Sequence, residues 1–190
     1  MIRVSDAIRT TKDYASLGDA FSRTQYDSKL WLIEELEKIS YSQQKKISII
    51  GGWYGAYLVP FLKKSLNPKQ IYFSDLDRGA LKIAKILNGE ENISYHCFDA
   101  IKDSKKIYEG YPDIVINTSC EHMANMIEIV NNKNDILYVF QSCDYAGDPG
   151  HINPAISLDD FIHSSGLTKL LYYGTKDLGH KKRFMIIGTA

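Results

Sequence analysis

The stretch Lys46-Ile47-Ser48-Ile49-Ile50-Gly51-Gly52-Trp53-Tyr54-Gly55 decides how this chain is read. Ile47, Ile49 and Ile50 make a short β-branched run suited to a strand, and the run ends in glycines that free the backbone for a tight turn. Behind the turn, residues 56–65 carry apolar side chains at helical spacing, with Pro60 placed for a first turn, where its missing N–H removes no helical bond. Strand, glycine turn and helix in that order open an α/β fold. The unpaired N–H groups at the helix start make the turn a place for a ligand's polar atoms.

Outward from this unit the alternation repeats. Residues 71–74 read as a second strand, 79–87 as a helix and 93–98 as a third strand. Residues 113–116 form a fourth strand, 123–130 a helix behind it, and 136–141, almost continuously apolar, a buried fifth strand. Residues 157–164 read as a helix opened by Ser157 with Asp160 three residues on, and ended at Gly166. Residues 168–174 and 183–189 suit an antiparallel pair at one end of the sheet. Upstream, Leu32, Ile33, Leu36 and Ile39 give an amphipathic helix over residues 25–39, and residues 1–24 an N-terminal extension or lid. The expected fold is α/β, formed by residues 25–190: a doubly wound, mostly parallel seven-stranded sheet with a C-terminal antiparallel hairpin and helices on both faces. Ligands of such sheets bind beyond the carboxyl ends of the strands, where the strand order reverses.

Composition narrows the function classes. At 190 residues, 44% hydrophobic and 24% charged, the chain suits one packed domain. Lys plus Arg and Asp plus Glu number 23 each, a balance that points away from long duplex nucleic acid and toward a small-molecule or nucleotide substrate. The basic run Lys181-Lys182-Arg183 reads as solvated surface. No run approaches the roughly 18 apolar residues of a membrane span, and residues 1–20 lack the apolar core of a signal peptide, so the expected location is cytoplasmic. Cys97, Cys120 and Cys143 have no CxxC spacing and read as reduced thiols. Cys120, His122, Cys143 and His151 follow neighbouring strands and offer zinc-type donors, but no local pair has ligand spacing, so no metal is expected.

Two further strand ends carry chemistry. Asp75, in Phe73-Ser74-Asp75-Leu76-Asp77, offers a carboxylate that can accept both hydroxyls of a ribose diol. Cys97-Phe98-Asp99-Ala100 places a second carboxylate within reach of an adenine amino group, with Phe98 available to pack on the ring. Three successive strand ends thus suit one adenosyl ligand.

At these residues the chain resembles the class I S-adenosylmethionine-dependent methyltransferase superfamily, from about residue 25 to residue 190. Gly51 to Gly55 is similar to its glycine motif, Asp75 to its ribose-binding acid, Asp99 to the acid near adenine, and residues 113–117 to its fourth strand and the loop beside the sulfonium. The resemblance implies S-adenosyl-L-methionine as cofactor, bordered by Gly51, Gly52, Trp53, Tyr54 and Gly55, by Asp75 with Leu76, by Phe98, Asp99 and Ala100, and by Asn117. The acid that often precedes the glycine motif is replaced by Ile47-Ser48-Ile49, and Trp53 and Tyr54 are bulky enough to wall the pocket or to pack beneath it.

Asn117-Thr118-Ser119-Cys120-Glu121-His122 is the densest polar cluster in the chain and replaces the Asn/Asp-Pro-Pro-aromatic signature of members that methylate bases at nitrogen, which argues against that reaction. Methyl transfer from a sulfonium is an in-line displacement that needs alignment, and a base where the acceptor carries a proton. Asn117, Glu121 and His122 are the catalytic candidates, and Ser119, Cys120, Tyr145, His151 and Asn153 the substrate-binding ones. The plain alternative is that Asn117, Ser119 and Glu121 cap the following helix. Lys29 or Tyr26 of the leading helix could meet the cofactor carboxylate.

The expected activity is methyl transfer to an O, N or S atom of a small molecule, nucleotide or macromolecular end. The same pocket permits aminocarboxypropyl transfer. A non-catalytic adenosyl-binding module is an alternative if Trp53 and Tyr54 fill the cleft. An NAD-dependent oxidoreductase is another, although Gly51, Gly52 and Gly55 miss the G-x-G-x-x-G register. The sequence specifies neither acceptor nor oligomeric state.

Overall fold

Strands apolar on both sides need cover on both sides, and this requirement organises the chain. The computed structural model describes residues 4–39, 44–131 and 136–190. Within them β1 (Lys46–Ile50), β2 (Gln70–Asp75), β3 (Ile93–Cys97), β4 (Ile114–Asn117), β5 (Leu137–Cys143), β6 (Lys169–Asp177) and β7 (Lys182–Thr189) form one seven-stranded sheet in the order β3-β2-β1-β4-β5-β7-β6. Strands β3 through β5 run parallel, and β7 lies antiparallel between β5 and β6. This is the doubly wound sheet with a terminal hairpin that the sequence implies. β5 is buried along its whole length, whereas β6, at the edge, alternates between half-buried and exposed residues.

The two-residue period of the strands sorts their side chains between two cores. Ile114, Ile116, Leu137, Val139, Met185 and Ile187 share one core with Leu32 and Leu36 of α3 (Arg23–Lys38) and Leu58 and Leu62 of α4 (Leu58–Leu66). Val115, Tyr138, Phe140, Phe184 and Ile186 share the other with Phe161 of α6 (Leu158–Ser165). α3 begins where Ser22 Oγ accepts the Gln25 N–H at 3.3 Å, and it is pinned to β5 by a reciprocal pair. Ser28 Oγ donates to Gln141 Oε1 at 3.0 Å, and Gln141 Nε2 donates to the Ser28 carbonyl, also at 3.0 Å.

Pro60 falls in the first turn of α4. Within the N-terminal extension, whose residues 1–3 lie outside the described part, α1 (Val4–Thr10) and α2 (Tyr14–Ala20) bury Ala7, Leu17 and Ala20 in a cluster with Tyr54 and with Ala80, Ile83 and Leu87 of α5 (Arg78–Asn88). No helix of the described residues is long and apolar enough to cross a membrane.

One expected element is absent. Residues 123–130 are not an α-helix; one 3-10 turn, Cys120–His122, precedes them and a second, Met126–Glu128, lies within them, with Met123 extended between the two. The Glu121 carbonyl, which an α-helix would pair four residues on, accepts the Asn153 N–H at 3.0 Å, and Asn153 Nδ2 donates to Asn125 Oδ1 at 3.0 Å. The loop after β5 thus braces this segment through one backbone and one side-chain bond.

The α6 boundaries follow the sequence closely: Ser157 Oγ accepts the Asp160 N–H at 3.1 Å, and Gly166 closes the helix in the left-handed region at φ 76°. Ser157→Ala should therefore lower stability by about 1 kcal/mol, read as a reduced urea midpoint with an unchanged slope. An unmoved midpoint would mean that the cap contributes nothing.

Candidate functional site

Strand order reverses between β1 and β4, so the loops leaving these strands diverge and open a crevice. A cavity of about 950 Å³ occupies it, bordered by the segments that follow β1, β2, β3 and β4 and by residues of α2 and α3. The glycines of the first turn are there for space as well as conformation. A Cβ on Gly51, which has φ +58°, would lie 2.3 Å from Met123 Cε, and one on Gly52 would lie 2.4 Å from Phe73 Cζ. Trp53 itself holds φ +48°, which is costly for a bulky residue. Asp75 stabilises it there, because its Oδ2 accepts the Trp53 N–H at 2.7 Å, while Oδ1 accepts the Asp77 N–H at 2.9 Å. Each oxygen keeps a second acceptor site for a ligand. Burial raises the Asp75 carboxyl above its usual range, opposed by these backbone donors.

Gly51, Gly52, Trp53, Gly55, Asp75 and Leu76 all line the cavity, and Phe98, Asp99 and Ala100 border it from β3. Trp53 forms part of the wall, whereas Tyr54 stacks behind it at 4.6 Å and is buried among α1 and α5, so the pair does not fill the cleft. Asp99 is also a local fastener. Its Oδ1 accepts the Ile101 and Lys102 N–H groups at 3.0 and 3.2 Å, and these bonds, with the Lys102 ammonium, hold its carboxyl below the usual range.

Charge is concentrated at the other end, where Ser119, Glu121, His122 and His151 line the cavity together with Lys29, Lys181 and Arg183. Arg183 Nη1 donates to Glu121 Oε1 at 2.5 Å, and Nη2 donates to the Thr118 carbonyl. Burial works against the Glu121 charge, but the guanidinium outweighs it and holds the carboxyl below its usual range. Glu121 is therefore an ionised partner of Arg183 rather than a free base. Lys29, only 8% exposed, has its ammonium pushed well down by burial and then by Arg183. His122 Nδ1 lies 2.8 Å from the Gly150 carbonyl, which can only accept, so the ring proton sits on Nδ1 and Nε2 carries a basic lone pair. The His122 and His151 rings meet edge to face at 4.6 Å.

Several residues expected at the site lie elsewhere. Asn117 is fully buried; its Oδ1 accepts the Ser119 N–H at 2.8 Å, and its Nδ2 contacts the sulfurs of Met123 and Met126 at 3.2 and 3.3 Å. Cys120 and Asn153 line a separate recess of about 140 Å³, Tyr145 stands outside the large cavity at 42% exposure, and Tyr54 is walled off by Trp53. Tyr26 packs on Tyr57 and Phe61 at 5.3 and 5.5 Å. Conversely, Arg183, read from the sequence as solvated surface, is 5% exposed. The available signal was its position directly before Phe184-Met185-Ile186-Ile187, where a strand turns inward.

The sequence matches no protein-family model and no curated protein. Its structure has the fold of class I S-adenosylmethionine-dependent methyltransferases. A TehB-like SAM-dependent methyltransferase from Corynebacterium glutamicum superposes with TM-score 0.62 at 14% identity, covering 99% of this chain and 100% of that one. The magnesium protoporphyrin IX methyltransferase of Synechocystis, solved with bound SAH, gives 0.61 at 9% identity, with 87% of this chain and 84% of that one covered. TrmK of M. capricolum, also with S-adenosyl-homocysteine, gives 0.57 at 15% identity over 84% and 66%.

Removing one member of the buried ion pair strands the other. Arg183→Met should cost about 3–5 kcal/mol, and adding Glu121→Leu should recover most of it; an additive double variant would show that the pair is uncoupled. Because the folded Glu121 carboxyl is depressed, its contribution is present above the ordinary glutamate value of 4.5 and lost as pH falls through the lower folded value. Stability of the double variant should accordingly fall less steeply in acid.

Proposed function

We propose that this protein transfers a methyl group from S-adenosyl-L-methionine to an O, N or S atom of a small-molecule or nucleotide acceptor. One observation carries the reading: the Gly51–Gly55 turn, Asp75, and Phe98 with Asp99 border a single cavity whose far end holds Ser119 and His122. Asp75 has acceptor capacity left for a ribose diol, Phe98 offers a ring face for adenine, and the turn brings backbone close to the ligand. When bound, the cofactor supplies an electrophilic sulfonium methyl.

The chain's own residues then have separable tasks. Gly51 and Gly52 let the turn pack closely on Met123 and Phe73, where a Cβ would collide. Lys29, a cavity-lining cation whose charge burial and then Arg183 disfavour, suits the cofactor's carboxylate. Ser119 is positioned against the turn by donating its hydroxyl to the Gly51 carbonyl at 3.2 Å. His122, through its free Nε2, can take a proton from an acceptor hydroxyl, amine or thiol as the methyl is transferred. Ala15, Ser16 and Asp19 of α2 border the same cavity, which fits the N-terminal extension as its cover. The balanced net charge favours a small acceptor over long duplex nucleic acid.

Calorimetric titration with S-adenosylhomocysteine and NAD in parallel tests the assignment. Binding of the sulfur nucleotide alone is expected, weakened about 10–100-fold by Asp75→Ala as two charge-assisted hydrogen bonds are lost. Unchanged affinity in that variant, or binding of NAD alone, would sink the reading. His122→Ala should lower turnover while leaving this affinity intact; full turnover would remove His122 as the base.

A further inference from the structure

One cluster at the polar end has no role in the reading above. We propose that Glu121, Cys143 and His151 form a binding site for a zinc-type divalent cation. One donor atom from each lies within 4.8 Å of the other two. Cys143 Sγ faces His151 Nδ1 at 3.8 Å. Tetrahedral zinc, with bonds of about 2.3 Å to sulfur and 2.0 Å to nitrogen, sets such donors about 3.5 Å apart. Side-chain rotations on the order of an ångström close the site.

The carboxylate points to a missing partner. Glu121 is 3% exposed, and Arg183 grips only its Oε1, leaving the buried Oε2 with no hydrogen-bond donor. A buried carboxylate oxygen without a partner is costly, and a cation on Oε2 satisfies it without disturbing the ion pair. Around the three donors stands the outer shell that metal sites use to orient their ligands. Arg183 holds Glu121 by Oε1, and Asp148 Oδ2 lies 3.9 Å from His151 Nε2. With Nδ1 on the metal, the ring proton resides on Nε2, facing Asp148. The ring must then release the Tyr145 carbonyl, which Nδ1 now contacts.

Charge and softness select the ion. On binding, the Cys143 thiol gives its proton to solvent. Thiolate, Glu121 and Asp148 against Arg183 and Lys181 leave one net negative charge for the dication, and burial and Arg183 disfavour the Lys29 ammonium. Sulfur and nitrogen donors exclude a magnesium or calcium preference. Three protein ligands leave the fourth tetrahedral position open, as in catalytic zinc sites. Glu121 and His151 both line the large cavity, so that position faces the space where an acceptor would be held. This last consequence rests on the methyltransferase reading; the site itself does not.

The test uses full-length protein stripped with chelator, without nucleotide, and titrated with Co²⁺ and then Zn²⁺. A thiolate-to-cobalt charge-transfer band saturating at one ion per chain and bleached by Zn²⁺ is expected. Cys143→Ala and His151→Ala should abolish the band, Asp148→Asn should weaken affinity about tenfold, and Cys97→Ser, exposed and remote from the cluster, should change nothing. Absence of the band from the parent protein, or its persistence in both Cys143→Ala and His151→Ala, overturns the site. Where Cys143→Ala fails to fold by circular dichroism, His151→Ala, on a loop outside the sheet, decides alone. Titration with S-adenosylhomocysteine on the same samples separates the two proposals. Metal binding without nucleotide binding keeps the site and removes the methyltransferase reading, and the converse does the reverse.

Discussion

Glu121 and Arg183 are withdrawn from water together where the loop after β4 meets the start of β7, and the polar half of the cavity is arranged around them. Burying two charges costs several kcal/mol per ion and is tolerated only when geometry and additional hydrogen bonds offset it. Arg183 meets that demand by holding Glu121 with one nitrogen and the Thr118 carbonyl with another, which clamps both ends of the short segment carrying Ser119. The Glu121 carbonyl in turn accepts the Asn153 N–H, drawing the loop that carries His151 against the same segment. A single ion pair thus locates two loops, and with them the His122 and His151 rings.

The nucleoside half is built on a different principle. There the lining residues stand at the ends of parallel strands, placed by the sheet itself, and Asp75 holds the glycine turn by accepting the Trp53 N–H. Such a half needs little beyond small residues and one carboxylate. The polar half needs particular charged side chains in particular places. That division is the general one in which a fold supplies the scaffold and particular side chains supply the chemistry.

The same division governs what could be read from the sequence. Strands β1 to β5, the helices between them, the Ser157 cap and the Gly166 stop follow local rules of period and capping, and the glycine turn with Asp75 lies within a short stretch whose spacing is informative. Arg183 obeys no local rule: it follows two lysines and its partner is 62 residues away, so only the assembled sheet shows that it points inward. The irregular segment at 123–130 is likewise tied to a distant loop, since Asn153 bonds the Glu121 carbonyl before it and the Asn125 side chain within it. Tyr54 and Asn117 lie beside cavity residues in the chain, yet their side chains point the other way, one into the α1/α5 cluster and one onto two methionine sulfurs. Proximity along a loop does not give direction.

Lys29 shows how the two halves are joined. The leading helix would bury only its apolar stripe if packing alone set its rotation, but the reciprocal Ser28–Gln141 hydrogen bonds lock it against β5 and force the next side chain into the cavity. There the ammonium faces burial and a neighbouring guanidinium, two influences that both disfavour its charge. An arrangement that keeps a lysine in such a place is stable at low cost only if the nitrogen is neutral or if a ligand brings an anion to it. In the proposed reading the cofactor's carboxylate is that anion, and its arrival favours the charged form of Lys29. Cofactor binding and the charge state of the polar end are then linked through one side chain, which a helix before the first strand supplies.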